Sequence, residues 1–67
     1  MNATVSNNVQ KVRTTGKITQ EELAQAVRVT RQTIIAIEKG NYTPSVLLAL
    51  KIAKFFRTSV EKLFSLE

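Results

Sequence analysis

The chain has no cysteine and no histidine, so neither a disulfide framework nor a Cys/His zinc site can supplement its core. It has no tryptophan either. Without His and Cys the common nucleophile-and-base pairs of enzyme sites cannot be assembled, and the five acidic residues are scattered without paired spacing. No enzymatic activity, metal or cofactor is expected. No apolar run reaches the length of a bilayer span. The opening stretch MNATVSNNVQ lacks the charged start and apolar centre of a signal peptide, which predicts a chain that stays in the cytoplasm.

What the chain does have is positive charge. Ten Lys and Arg against five acids give a net charge of +5 and a sequence pI of about 10.1. A surplus of this sign favours a polyanion, with nucleic acid and an acidic membrane surface as the candidates. Sixty-seven residues form one small domain that buries about 60% of the surface of its unfolded chain. That length leaves no room for a separate small-molecule ligand domain, so stability must come from helix packing, within one copy or across a dimer.

The organising stretch is TQEELAQAVRVTRQTIIAIEKG, residues 19–40. Thr19 followed by Glu22 is a capping box, and Thr30 followed by Thr33 repeats the cap without the acid partner. After the first cap, Leu23, Ala24 and Val27 share a helix face; after the second, Ile34, Ile37 and Glu38 do. Two short helices separated by a residue or two must cross. Small Ala24 allows close approach and β-branched Ile34 fills the angle, which predicts a helix-turn-helix with its second helix free to enter a DNA major groove.

Before this stretch, residues 1–7 are polar and aperiodic and read as a loose tail. A first helix follows from Ser6 or Asn7 to about Thr15, with Val9 and Val12 inward and Arg13 beside them; Gly16 and Lys17 make the turn, and Ile18 packs ahead of the Thr19 cap. After it, Gly40 stops the third helix. Thr43 and Pro44 open a fourth, VLLALKIAKFFR, apolar around most of its circumference apart from Lys51 and Lys54. Thr58 or Ser59 caps a short fifth helix, Val60 to about Phe64. The apolar excess has two readings: the central helix of a bundle, or a dimer seam through Phe55, Phe56, Val60, Leu63 and Phe64.

TQEELA, TRQTI, IEKG and TPS before an apolar helix occur here in an order and spacing that resemble the Xre, or Cro/cI-type phage-repressor, helix-turn-helix family. The resemblance covers about Asn8 to Leu66. It implies an all-α, five-helix, lambda-repressor-like DNA-binding domain over residues 8–67, with the helix-turn-helix at 19–40 and dimerisation helices at 44–66. It further implies a cytoplasmic regulator of bacterial, archaeal or phage type, with double-stranded DNA and a second copy of itself as partners. Gln20 matches a phosphate-binding position at the start of the second helix. Arg31, Gln32 and Thr33 match the start of the reading helix, where Arg suits guanine and Gln suits adenine. With Ile34 and Ile37 inward, Gln32, Ala36 and Lys39 project oppositely and Ile35 lies on the flank, where it could touch a thymine methyl. Lys39, Asn41, Tyr42 and Thr43 are phosphate candidates. The resemblance also pairs Arg13 with Glu38 as a structural ion pair joining the first and third helices.

Two positions depart from the family pattern: Arg28 and Arg57 stand where glycine often ends a helix. If those turns need positive φ, each side chain costs roughly 1–2 kcal/mol. The leading reading is a homodimeric repressor that inserts the third helix into a twofold-symmetric operator. The alternatives are an antitoxin that represses its own operon and holds a toxin on helix four, and an interaction module that uses the fold without DNA. Arg31, Gln32 and Lys39 favour DNA, because a membrane face would want Trp or Phe beside Lys.

Overall fold

A computed structural model describes residues 3–67. The elements in chain order are β1 (Val5–Asn7), α1 (Val9–Thr15), α2 (Gln20–Val27), α3 (Arg31–Glu38), α4 (Val46–Phe55), α5 (Val60–Leu63) and β2 (Phe64–Leu66). Five helices form, in the order the sequence places them. The fold is nevertheless not purely α, because β1 and β2 pair antiparallel, Val5 opposite Leu66 and Asn7 opposite Phe64.

That sheet corrects the reading of residues 1–7 as a loose tail; Met1 and Asn2 lie outside the described residues. Three-residue strands carry no apolar alternation of their own, and what orders them is a partner at the other end of the chain. Asn8 donates its N–H to the Leu63 carbonyl at 2.8 Å, and the Ser6 and Ser65 hydroxyl oxygens approach to 2.8 Å across 59 positions. Asn7 then connects three elements. Its Oδ1 accepts from the Val9 N–H at 3.1 Å, at the start of α1, and its Nδ2 donates to the Ile37 carbonyl at 2.8 Å, at the end of α3.

The helix starts follow the expected chemistry. Thr19 and Glu22 form the full capping box, with Thr19 Oγ1 accepting from the Glu22 N–H at 3.0 Å and Glu22 Oε1 accepting from the Thr19 N–H at 2.8 Å. Thr30 caps α3 through the Thr33 N–H at 3.3 Å. Helix α4 starts later than the Pro44 position suggests. Ser45 is its cap, accepting from the Leu48 N–H at 3.1 Å, so Pro44 precedes the cap instead of opening the first turn. Helix α1 likewise starts at Val9, beyond the expected Ser6 or Asn7.

Helices α1 to α4 end alike. Each is followed by a residue of positive φ: Lys17 (59°), Arg28 (62°), Gly40 (80°) and Arg57 (56°). In each, the next residue's N–H reaches back to close the last turn: Ile18 to the Arg13 carbonyl, Val29 to Ala24, Asn41 to Ala36 and Thr58 to Ala53, at 2.9 to 3.0 Å. These are four Schellman turns, which reverse the chain within two residues and satisfy carbonyls a helix end would strand. The protein therefore does hold Arg28 and Arg57 left-handed, and Lys17 as well. At the first turn the glycine is not the left-handed residue: Gly16 has φ −83°.

The core joins Val9 of α1, Leu23, Ala24 and Val27 of α2, Ile34 and Ile37 of α3, Leu48, Ile52 and Ala53 of α4, and Leu63 of α5. Val12, Ile18, Val29, Phe56, Val60 and Phe64 pack around it. Of the five residues expected at a dimer seam, only Leu63 is removed from the surface altogether. Leu63 is only 1% exposed and fills the core, and Phe56, Val60 and Phe64 lie against it; Phe55 alone of the five is exposed, at 39%. The short α5 folds back because β2 must reach β1. The most exposed apolar side chains of α4 are Val46, Leu47 and Leu50.

Candidate nucleic-acid interface

Helix α3 owes its placement to both faces of its neighbours. Ile34 and Ile37 are fully buried against the core, which forces the remaining positions outward or to the flanks. Arg31, Gln32 and Lys39 are exposed, and Thr33, Ile35 and Ala36 are half-buried. Asn41, Tyr42 and Thr43 follow on the exposed loop between α3 and α4. Polar donors at the start and end of the helix thus bracket a small apolar strip, Ile35 and Ala36, of the kind that meets a thymine methyl. Thr33 shares a 3.1 Å contact between its hydroxyl oxygen and that of Thr30, which turns it toward the cap.

Behind this face lies the Arg13 and Glu38 pair. Arg13 Nε donates to Glu38 Oε2 at 2.7 Å and Nη2 to Oε1 at 3.1 Å, a two-pronged contact, while Nη1 donates to the Ile18 carbonyl at 2.9 Å. The side chains are 10% and 4% exposed, so the pair is dry and ties α1 to the last turn of α3. Among the described residues no buried side-chain polar atom is left without a partner.

Gln20 is engaged inside the protein. Its Nε2 donates to Glu38 Oε1 at 3.1 Å, and its Oε1 accepts from Arg31 Nε at 3.3 Å. Four side chains, Arg13, Glu38, Gln20 and Arg31, therefore form one chain of hydrogen bonds from the buried pair to the first residue of α3. Sequence reasoning found the pair and both ends but not the link; a Gln at a helix start carries no signal of its partners. It also missed Asn7, whose bond to Ile37 spans 30 positions.

Electrostatically the face is favourable to phosphate. The single acid of α3, Glu38, is paired inward. Glu22 spends its carboxylate on the capping box, and the Thr19 N–H, followed by the Thr19 hydroxyl, holds its pKa below the ordinary glutamate value. Among the described residues no cluster of carboxylates could hold a metal, and no helix is long and apolar enough to cross a membrane.

The helix-turn-helix family profile matches residues 9–63, from the first residue of α1 to the last of α5. The chain belongs to the Xre-type helix-turn-helix family. An uncharacterised HTH-type transcriptional regulator of Methanocaldococcus jannaschii is 51% identical over 63 residues, covering 94% of this chain and 96% of that protein. The cryptic phage CTXphi transcriptional repressor RstR of Vibrio cholerae is 32% identical over 60 residues, covering 90% of this chain and 54% of its own length. The solved restriction-modification controller protein of Aeromonas hydrophila superposes with a TM-score of 0.77 at 24% identity, over 82% of this chain and 83% of that one, a likeness of fold. The protein is accordingly a helix-turn-helix transcriptional regulator, a DNA-binding protein and not an enzyme.

Proposed function

We propose that the protein acts as a homodimeric repressor, each copy laying α3 in the major groove of one half of a twofold-symmetric operator. The observation that carries this reading is the outward strip of α3. Arg31 and Gln32 offer fork and amide chemistry for guanine and adenine, Ile35 and Ala36 offer apolar contact, and all stand on a helix whose other face is fixed in the core. Lys39, Asn41, Tyr42 and Thr43 are the phosphate contacts, exposed where the chain leaves the groove. Thr33 serves either base or phosphate from the flank.

The dimer reading rests on α4. Val46, Leu47 and Leu50 are 77%, 64% and 54% exposed, and Val46 and Leu50 line one side of a groove of about 920 Å³ that Val5, Pro44, Val60 and Phe64 also line. A twofold axis sets the same apolar patch of both copies against each other, which would cover these side chains. Phe55, packed edge to face on Phe56 with ring centroids 5.0 Å apart, is a further exposed apolar side chain of α4. Phe64 and Val60 contribute from the groove wall; Leu63, in the core, does not. Repression follows from occluding a promoter, a role in keeping with the name of the V. cholerae relative.

Selecting duplexes from a random pool with the purified chain tests the reading. A twofold-symmetric site with half-sites about 34 Å apart is the expected outcome. Enrichment of a lone half-site would count against the dimer, and no enrichment at all would count against base reading. The antitoxin alternative uses the same groove for a different protein, and a purified chain that stays monomeric while reading a half-site would favour it.

A further inference from the structure

We infer that Asn7 is a positioning residue for the phosphate grip: it ties the last turn of α3 to the terminal sheet, and so fixes where Lys39 and Asn41 stand when DNA arrives. The inference rests on the reading that α3 lies in the major groove with those two residues on phosphates. Asn7 is the last residue of β1, opposite Phe64 of β2, and its side chain reaches two other elements. A backbone N–H only donates hydrogen bonds and a carbonyl only accepts them. An amide held between the Val9 N–H and the Ile37 carbonyl therefore has one satisfactory orientation, oxygen toward α1 and NH2 toward α3, and both contacts are present at 3.1 and 2.8 Å. The first is the common turn in which an Asn closes on the N–H two residues ahead. The second spans 30 positions and has no such local origin.

What the second contact holds is the point where α3 ends. The Ile37 carbonyl also accepts the Gly40 N–H at 3.0 Å, and the Asn41 N–H closes on the Ala36 carbonyl at 2.9 Å. Both lone pairs of the Ile37 oxygen are thus used. The next residue, Glu38, is gripped by Arg13 of α1. Two successive residues of the last turn are fixed from outside α3, one through its backbone and one through its side chain. Lys39 and Asn41, both exposed, leave from that turn. Anchoring it before DNA arrives lowers the ordering cost of their contacts, and Asn7 need not touch DNA to do so. Phosphate contacts set register and carry no sequence information, so Asn7 governs affinity and not base preference.

The test compares Asn7→Ser with Asn7→Ala on specific and random duplexes at matched salt. Serine still closes on the N–H two residues ahead, more weakly than Asn, but is too short to keep the Ile37 contact; alanine removes both. Both variants should bind every duplex about two- to tenfold more weakly than the parent, the range one net hydrogen bond supplies, with base preferences unchanged. Neither should weaken binding further in a background carrying Lys39→Ala and Asn41→Ala together. In the free protein, amide exchange of Gly40 and Asn41, followed by NMR, should be faster in Asn7→Ser. The Gly16 amide, bonded to the Val12 carbonyl at the far end of α1, should keep the parent's rate; this readout needs no DNA and separates positioning from loss of fold. Parent-like binding by Asn7→Ser with weak binding by Asn7→Ala would reduce Asn7 to the start of α1 and overturn the proposal. So would a loss that persists in full without Lys39 and Asn41, or parent-like exchange at Gly40 and Asn41. If the Lys39→Ala, Asn41→Ala background itself binds as the parent does, the phosphate assignment beneath fails instead, a different failure with a different signature.

Discussion

At the residue scale the buried pair and the helix caps have fixed partners. Removing Arg13 strands the Glu38 carboxylate in a site only 4% exposed. Arg13→Ala should therefore cost about 3–5 kcal/mol of folding stability in denaturant titration. Replacing both partners by apolar residues of similar size should cost far less, since a dry ion pair adds little net stability. If the single variant is as stable as the parent, the pair does not organise α1 against α3. Glu22 supplies a pH prediction. Because the folded state lowers its pKa, the unfolded chain binds the proton more tightly, and the capping box stabilises most above the ordinary glutamate range. That contribution is lost as pH falls through the lowered value. Melting temperatures followed from neutral to acid pH should show a shallower decline in Glu22→Gln than in the parent; parallel curves would remove Glu22 from the acid response.

At the scale of elements, the helix starts were legible in the sequence and the helix ends only partly. Thr19, Glu22 and Thr30 announce their caps through side-chain chemistry local to three or four residues, so α2 begins where it was expected and α3 does too. Ends are governed by backbone φ, which side chains other than glycine do not advertise. Lys17, Arg28 and Arg57 take the left-handed position with long cationic side chains, and each lies just past a helix C-terminus, where the macrodipole favours positive charge. Gly16 holds an ordinary φ of −83°, and a Cβ there would meet nothing nearer than 3.6 Å. Gly16→Ala should thus raise stability by about 0.4–1 kcal/mol by restricting the unfolded chain. A destabilised variant would mean that the turn needs freedom its φ does not reveal.

Over the whole molecule, the alternation of caps and apolar positions was enough to give five helices, their order and the crossed pair at the centre. The sheet was not legible, because β1 and β2 are three residues each and lie at opposite ends of the chain. The same long-range closure holds Leu63 inward, and Val46, Leu47 and Leu50 are the most exposed apolar side chains of α4. Those three decide the assembly prediction. Leu50→Glu, at a position already 54% exposed, should leave the fold intact and shift sedimentation from dimer to monomer, because a carboxylate buried without a partner at an interface is strongly unfavourable. An unchanged dimer would place the twofold contact elsewhere.

The central claim, that α3 reads bases through its outward strip, is tested most directly by measuring Gln32→Ala and Lys39→Ala against specific and random duplexes over a range of salt. Gln32→Ala should lose about 1–3 kcal/mol of discrimination at one or two base pairs. Lys39→Ala should weaken all duplexes alike and reduce the salt slope by about one. If both variants bind both kinds of duplex with the parent's affinity at matched salt, the outward strip of α3 is not the reading face.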